Sequence, residues 1–128
     1  MNSGWTAGQL QQIEAARELE IASQRPDGTL RRWLPIWVVC AGDQVYVRTW
    51  HRRTTGWFGR VVDSRQARIR VRGLETDVIV QDIGGDDSDL RSVIDEAYRL
   101  KYGSDGGAVG QMITDSAAAT TLRLARSD

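Results

Sequence analysis

The sequence predicts a mainly β (α+β) fold, a six-stranded antiparallel barrel, closed or split, with flanking helices. Three observations carry this. Short alternating apolar runs are punctuated by tight turns at Gly42-Asp43 and Gly73-Leu74, the mark of hairpins joined in series. A helix-like segment is inserted after the third strand run, and a last apolar run near the C-terminus must return to the sheet. The length of 128 residues suits one domain spanning 1-128 and is too short for a doubly wound sheet. Closure would also remove the exposed edges that so strand-rich a chain otherwise carries.

The elements follow in order. Residues 1-7 read as a loose arm, and Thr6 can cap a short helix over Ala7 to Glu18, with Leu10, Ile13 and Arg17 near helical spacing. Leu19 and Ile21 then alternate with Glu20 and Ala22 as a strand. Arg25-Pro26-Asp27-Gly28-Thr29 is a turn, because proline presets one dihedral and glycine accepts a positive one. Leu30 to Ala41 reads as one long strand in which Pro35 demands a bulge, an edge or an unneeded donor. Across Gly42-Asp43 it meets Gln44 to Trp50, placing Val39 opposite Tyr46, Val38 opposite Val47, and Trp37 opposite Arg48 in a cation–π contact.

A basic loop, His51 to Thr55, leads into a short helix over Gly56 to Val62. Gln66 to Arg72 and Glu75 to Ile83 form the second hairpin, stopped by Gly84-Gly85. Asp86-Asp87-Ser88 caps a helix to about Tyr102, with Leu90, Val93, Ile94, Ala97 and Tyr98 as its apolar stripe. Gly103 ends it, a short helix holds Val109 and Met112-Ile113, and Thr120 to Leu124 forms the last strand.

Hydrophobic residues at 41% and charged residues at 27% exclude a collagenous, disulfide-rich or wholly disordered chain. The longest apolar run, Ile36 to Ala41, is too short to span a bilayer, so no membrane is expected as a partner. The first residues lack the pattern of a secretion signal, and the lone Cys40 reads as a buried small hydrophobe. A reduced, cytoplasmic protein is the simplest expectation.

The net charge is zero but unevenly placed. Val45 to Glu75 carries eight arginines against two acids, whereas Thr76 onward carries ten acids against five bases. Arginine suits bidentate capture of carboxylate or phosphate, although arginine-rich coding explains much of the excess. With Gly73-Leu74 as the turn, Arg72 faces Glu75 and Arg70 faces Asp77, leaving Arg68 opposite Ile79. Those pairs and the neutral total argue against nucleic acid as a partner.

Thr49 to Arg60 is the leading chemical candidate. Arg52, Arg53, Thr49, Thr54 and Thr55 converge ahead of a helix N-terminus, where free backbone donors favour an anion. The alternative is a solvated basic loop with a threonine cap. His51 is the only histidine; flanking cations favour its neutral form, a proton acceptor, although a surface histidine is the commoner case. No metal site is expected from one histidine, and Asp86-Asp87-Asp89 is a helix start lacking the spacing of a cation loop. Four tryptophans, Trp33, Trp37, Trp50 and Trp57, fall in one region, so one or two should line a pocket for a planar ligand or a dimer interface. Tyr46 and Tyr98 are core residues first and pocket residues second.

Asp27-Gly28-Thr29, Pro35-Ile36-Trp37-Val38-Val39, Gly42 to Thr49 and Gly56-Trp57 together resemble the pyridoxamine phosphate oxidase-like and deazaflavin-dependent nitroreductase-like split-barrel superfamily. Ile94 to Gly103 and Thr120 to Leu124 resemble a narrower bacterial domain-of-unknown-function family. The likeness covers nearly the whole chain from Leu19. It implies FMN or a deazaflavin, with phosphate near Thr49, Arg52, Arg53, Thr54 and Thr55, and the ring along Pro35-Ile36-Trp37 and near Trp57. It implies a homodimer with the cofactor in the interface, and an oxidoreductase acting on a small aromatic metabolite. The chain departs from the nitroreductase pattern where Trp50-His51-Arg52-Arg53 replaces a small glycine-containing turn. The alternative is a cofactor-free isomerase or cyclase, or a ligand-binding protein, on the same scaffold, with His51 or Tyr46 as the polar handle.

Overall fold

The computed structural model describes residues 4–49, 56–84, 87–103 and 108–126. The order is α1 (Ala7–Ala15), β1 (Leu19–Ala22), β2 (Leu34–Ile36), β3 (Val39–Ala41), β4 (Gln44–Val47), α2 (Gly56–Ser64), β5 (Gln66–Val71) and β6 (Leu74–Asp82). Then come α3 (Ser88–Tyr102), α4 (Ala108–Met112), α5 (Asp115–Ala118) and β7 (Leu122–Arg126). Seven strands rather than six form one antiparallel sheet in the order β2-β1-β5-β6-β7-β4-β3.

The extra strand arises because the expected Leu30 to Ala41 strand breaks. Its two halves, β2 and β3, pair with β1 and β4 at opposite edges of the sheet. Only Trp37 and Val38 separate those edges in the chain, so they lie within about 11 Å of each other. The sheet must therefore curl until its edges nearly meet, which makes a split barrel. Pro35 sits on edge strand β2, where no ladder donor is required of it.

Strict alternation fills the barrel. Leu19 and Ile21, Val45 and Val47, Ala67 and Ile69, Val78 and Val80, Leu122 and Leu124 all point into one buried cluster. Ile13 of α1 and Phe58 and Val61 of α2 join it. Outside the wall, α3 packs Ile94, Tyr98 and Tyr102 against Val39 and Tyr46. Val93, expected in the apolar stripe of α3, is instead 53% exposed.

Local rules act largely as expected. Thr6 and Gln9 form a capping box on α1, and Asp87 caps α3 by accepting from the Leu90 amide at 3.0 Å. The first helix stops at Ala15, short of Glu18. Trp5, within the expected arm, is buried, and its indole donates to the Leu124 carbonyl at 2.9 Å.

Three details of pairing differ. The β3–β4 ladder contains Val39 opposite Tyr46 but goes no further, because β3 begins only at Val39. The Arg48 guanidinium lies over Tyr98, 5.4 Å from its centroid, and Trp37 stacks instead on Tyr102. The second hairpin turns at Arg72-Gly73, with Gly73 at φ +82°, so Arg70 pairs Glu75 and Arg68 pairs Asp77 in register. Arg68 then bridges Glu75 at 2.7 Å and Asp77 at 2.8 Å, while Arg70 reaches Glu20 at 2.7 Å and covers Trp33. Glycine supplies the left-handed backbone needed at the second turn position, and its place there goes with the observed register.

The break at Val38 buries a peptide without ladder partners, and α3 supplies them. The Tyr102 hydroxyl accepts from the Val38 amide at 3.0 Å, and Lys101 Nζ donates to the Val38 carbonyl at 2.9 Å. Burial pushes the Tyr102 phenol up to about 12 and lowers Lys101 from its ordinary value. The Cys40 thiol, next along β3, is pushed up to about 12, first by burial and then by the Glu14 carboxylate.

Both acids hold their protons more tightly when folded than at their ordinary values of 9.0 for Cys40 and 10.0 for Tyr102. From about pH 9 upward these two groups bind fewer protons in the unfolded chain than in the native one and lower stability as pH rises, with the lowered Lys101 offsetting part of the fall. Urea midpoints are expected to drop between about pH 8 and about pH 11, and Cys40→Ala should flatten the early part of that decline.

Candidate functional site

A cleft of about 320 Å³ opens at the split of the barrel. Pro35, Ile36 and Trp37 from the β2–β3 junction form one side, and Arg48 and Thr49 leave the end of β4. Trp57 comes from the first turn of α2, Gln111 and Met112 come from α4, and Glu18 lies ahead of β1. The site exists because three chain breaks coincide there: the β2–β3 interruption, the end of β4 and the start of α2.

The Trp37 wall is preformed. Its indole stacks on Tyr102 with centroids 4.0 Å apart and planes 1° from parallel. The Tyr102 hydroxyl is tied to Val38 and also donates to Arg17 or Val38 carbonyl oxygen, at 2.8 or 3.0 Å. The stack is thus held at its phenol end by backbone. Trp57 packs edge-on against the buried Phe58 at 5.7 Å, which anchors the opposing ring.

Thr49 is positioned by β7's approach. The Thr120 hydroxyl accepts from the Thr49 amide at 3.0 Å and lies 2.8 Å from the Thr49 carbonyl. A side chain thereby continues the pairing where the β4 ladder has ended.

Arg48 is fully buried. Nε donates to the Thr121 hydroxyl at 2.8 Å, and Nη1 donates to the Asp95 carboxylate and to the Met112 carbonyl at 2.9 Å. Nη2 is closed to solvent and, among the described residues, has no hydrogen-bond partner. Asp95 is shared with Arg91 Nε at 3.5 Å, and Arg91 reaches Asp115 at 2.8 Å. Burial also pushes the Tyr98 phenol, under Arg48, upward.

Of the residues expected at a site, the structure brings Trp37, Thr49 and Trp57 together around this cleft. Tyr46 is elsewhere: it is buried between β3 and α3, with Arg123 donating to its hydroxyl at 3.3 Å. His51, Arg52, Arg53, Thr54 and Thr55 lie outside the described residues. Arg48, Glu18 and Met112 were not singled out by sequence as site residues. Arg48 alone carried a signal, a lone arginine at the end of an apolar strand whose ladder partner would have to be buried. Among the described residues, no group of three or more metal-ligating side chains exists. No helix among them is long and apolar enough to cross a membrane.

A family model described as an uncharacterized protein conserved in bacteria (DUF2255) matches residues 9–124. The chain belongs to this family. No match was found among curated proteins. Three solved structures show how the DUF2255 chain is built. HutZ, the heme storage protein from Vibrio cholerae, shares 10% identity over 100% of this chain and 92% of its own, with a TM-score of 0.64. An F420 reductase shares 18% identity over 97% of each chain, with a TM-score of 0.58. A pyridoxamine 5'-phosphate oxidase-related, FMN-binding protein from Nostoc punctiforme shares 14% identity over 98% of this chain and 82% of its own, with a TM-score of 0.52. At such identities the likeness is one of fold, and the fold is the split barrel.

The Arg48–Asp95 pair gives a test of how this site is held. Asp95→Ala leaves the Arg48 charge buried without its counterion, so the protein should lose about 3–5 kcal/mol of unfolding free energy in urea titrations. Glu96→Ala, one residue away on the exposed side of α3, should cost less than about 1 kcal/mol.

Proposed function

We propose that this protein is a flavin- or deazaflavin-binding oxidoreductase of the split-barrel type, acting on a small aromatic metabolite in a reducing, cytoplasmic setting. The observation that carries the reading is the Trp37–Tyr102 stack, a rigid aromatic wall facing a cleft with a second indole, Trp57. A flat ring laid against Trp37 would extend an existing stack at little ordering cost. The fold shared with an F420 reductase and an FMN-binding protein supports the same class of ligand.

The residues present suit the ring portion of such a cofactor. About 320 Å³ is at the small end of ligand pockets and fits a fused ring system without its tail. Trp37 and Trp57 would contact the ring, Thr49 would meet its polar edge, and Arg52, Arg53, Thr54 and Thr55 are proposed to hold the phosphate. The bound group would supply hydride chemistry, and the chain would supply position, charge and exclusion of water. The cleft's modest size also favours a second reading, a cofactor-free protein that binds or isomerises a small aromatic metabolite.

Titration of the purified protein with FMN, followed by flavin fluorescence, separates the two. Saturation at micromolar FMN, weakened at least tenfold by Trp37→Ala, supports the first reading. No binding of FMN or F420 at high micromolar concentration would leave the second.

A homodimer is proposed with it. Two of the large apolar side chains exposed among the described residues, Val93 at 53% and Leu100 at 79%, lie seven residues apart on one face of α3. They border an apolar groove with Cys40, Ala41 and Ala97 beside edge strand β3. Sedimentation equilibrium is expected to give twice the monomer mass, and Leu100→Glu is expected to shift it to the monomer.

A further inference from the structure

The wall that α4 contributes to the cleft is the part least able to hold itself in place. A helix of five residues closes little more than one turn, so its own hydrogen bonds cannot fix it. Apolar packing helps: Met112 is buried against the cluster of Tyr98 and Tyr102, with Val109 and Ile113 partly buried beside it. That attraction has no preferred direction, so it does not by itself set how the short helix is turned. Directional contacts come from two arginines. Arg48 Nη1 donates to the Met112 carbonyl at 2.9 Å, and Arg91 Nη2 donates to the next carbonyl, that of Ile113, at 3.3 Å. Arg91 Nη1 also meets Asp115, the first residue of α5, at 2.8 Å.

One carboxylate holds both arginines. Asp95 gives Oδ1 to Arg48 and Oδ2 to Arg91, the latter at 3.5 Å along one turn of α3. Arg48 is wholly buried and needs that counterion, whereas the Arg91 side chain is 28% exposed and its removal leaves the Arg48–Asp95 pair in place. The Arg91–Asp115 pair adds little energy, because Asp115 is exposed and water screens it. What Arg91 supplies is geometry: one planar group grips α3, the end of α4 and the start of α5 together. We propose that Arg91 is a positioning residue of the cleft, the latch that sets α4 so that Gln111 and Met112 complete the lining. This rests on the reading of the cleft as a site for a flat ring. A ligand laid against a wall that is already set does not have to order it, and binds more tightly for that reason.

The test titrates the full chain by calorimetry with 1-naphthol, a flat ring without a tail, and with FMN. Loss of 1-naphthol binding in Trp37→Ala places that ring in the cleft. Arg91→Ala should weaken 1-naphthol about fivefold. It should also speed hydrogen exchange at the amides of residues 109–115 severalfold, with exchange over residues 66–82 unchanged. Arg91→Lys keeps the charge but lacks the planar fork, so its affinity should fall between; it carries the test if circular dichroism shows Arg91→Ala misfolded. Arg99→Ala, on the same helix and paired with Glu96, should change neither readout. An unchanged 1-naphthol affinity in the Arg91 variants, even with faster exchange, would overturn the proposal. So would 1-naphthol binding that Trp37→Ala leaves intact, or binding of neither compound to the unaltered protein at millimolar concentration. Binding of 1-naphthol that depends on Trp37 and Arg91, without FMN binding, sinks the flavin reading alone. FMN binding that Trp37→Ala weakens and Arg91→Ala does not sinks this proposal alone.

Discussion

One buried peptide organises this molecule. Val38 lies where the edge strands of the barrel are joined by two residues, and its amide and carbonyl have no neighbouring strand to bond. Without partners they would favour an unbroken, flatter sheet that reaches water. Tyr102 and Lys101, at the end of α3, supply both bonds and so make the break affordable in free energy. The same tyrosine ring then backs Trp37. A device that closes the fold thus also builds the aromatic wall of the cleft, and the position of α3 sets both.

The second constraint is electrostatic. Arg48 enters the interior at the end of β4 and is compensated by Asp95 from α3, Thr121 at the start of β7 and the Met112 carbonyl from α4. A buried pair of this kind contributes little net stability against an apolar substitute, because desolvation offsets much of the attraction. The Arg48 side chain is wholly buried behind the lining of the cleft, so the pair fixes how β4, α3 and α4 meet there. Helix α3 therefore meets the cleft twice, through Tyr102 and through Asp95, while its outer face carries exposed Val93 and Leu100.

Much of the fold was readable residue by residue. Period-two alternation of Leu19 and Ile21 identified β1 and its inward face, and Thr6, Asp87, Gly28 and Gly42 marked real boundaries. Errors cluster where one residue shifts a register. Gly73 was placed as the first turn residue and is the second, which moved every cross-strand partner of Arg68 and Arg70. Pro35 signalled an edge, yet nothing local showed that the strand would divide after it and serve two edges. Of the site, the aromatic residues and Thr49 were legible from composition and order. Arg48 was misread as a partner of Trp37, since its real partners lie 47 and 73 positions away in the chain.

Sequence alone determined what depends on neighbours along the chain: alternation, caps, turns and the crowding of indoles ahead of Phe58. Tertiary structure alone decided which edges approach, which buried charge is matched and where the aromatic rings converge. The physical reason is one of range. Backbone preference and amphipathic period act within a few residues, whereas satisfaction of a buried amide or guanidinium depends on whichever distant group the packed chain delivers to it.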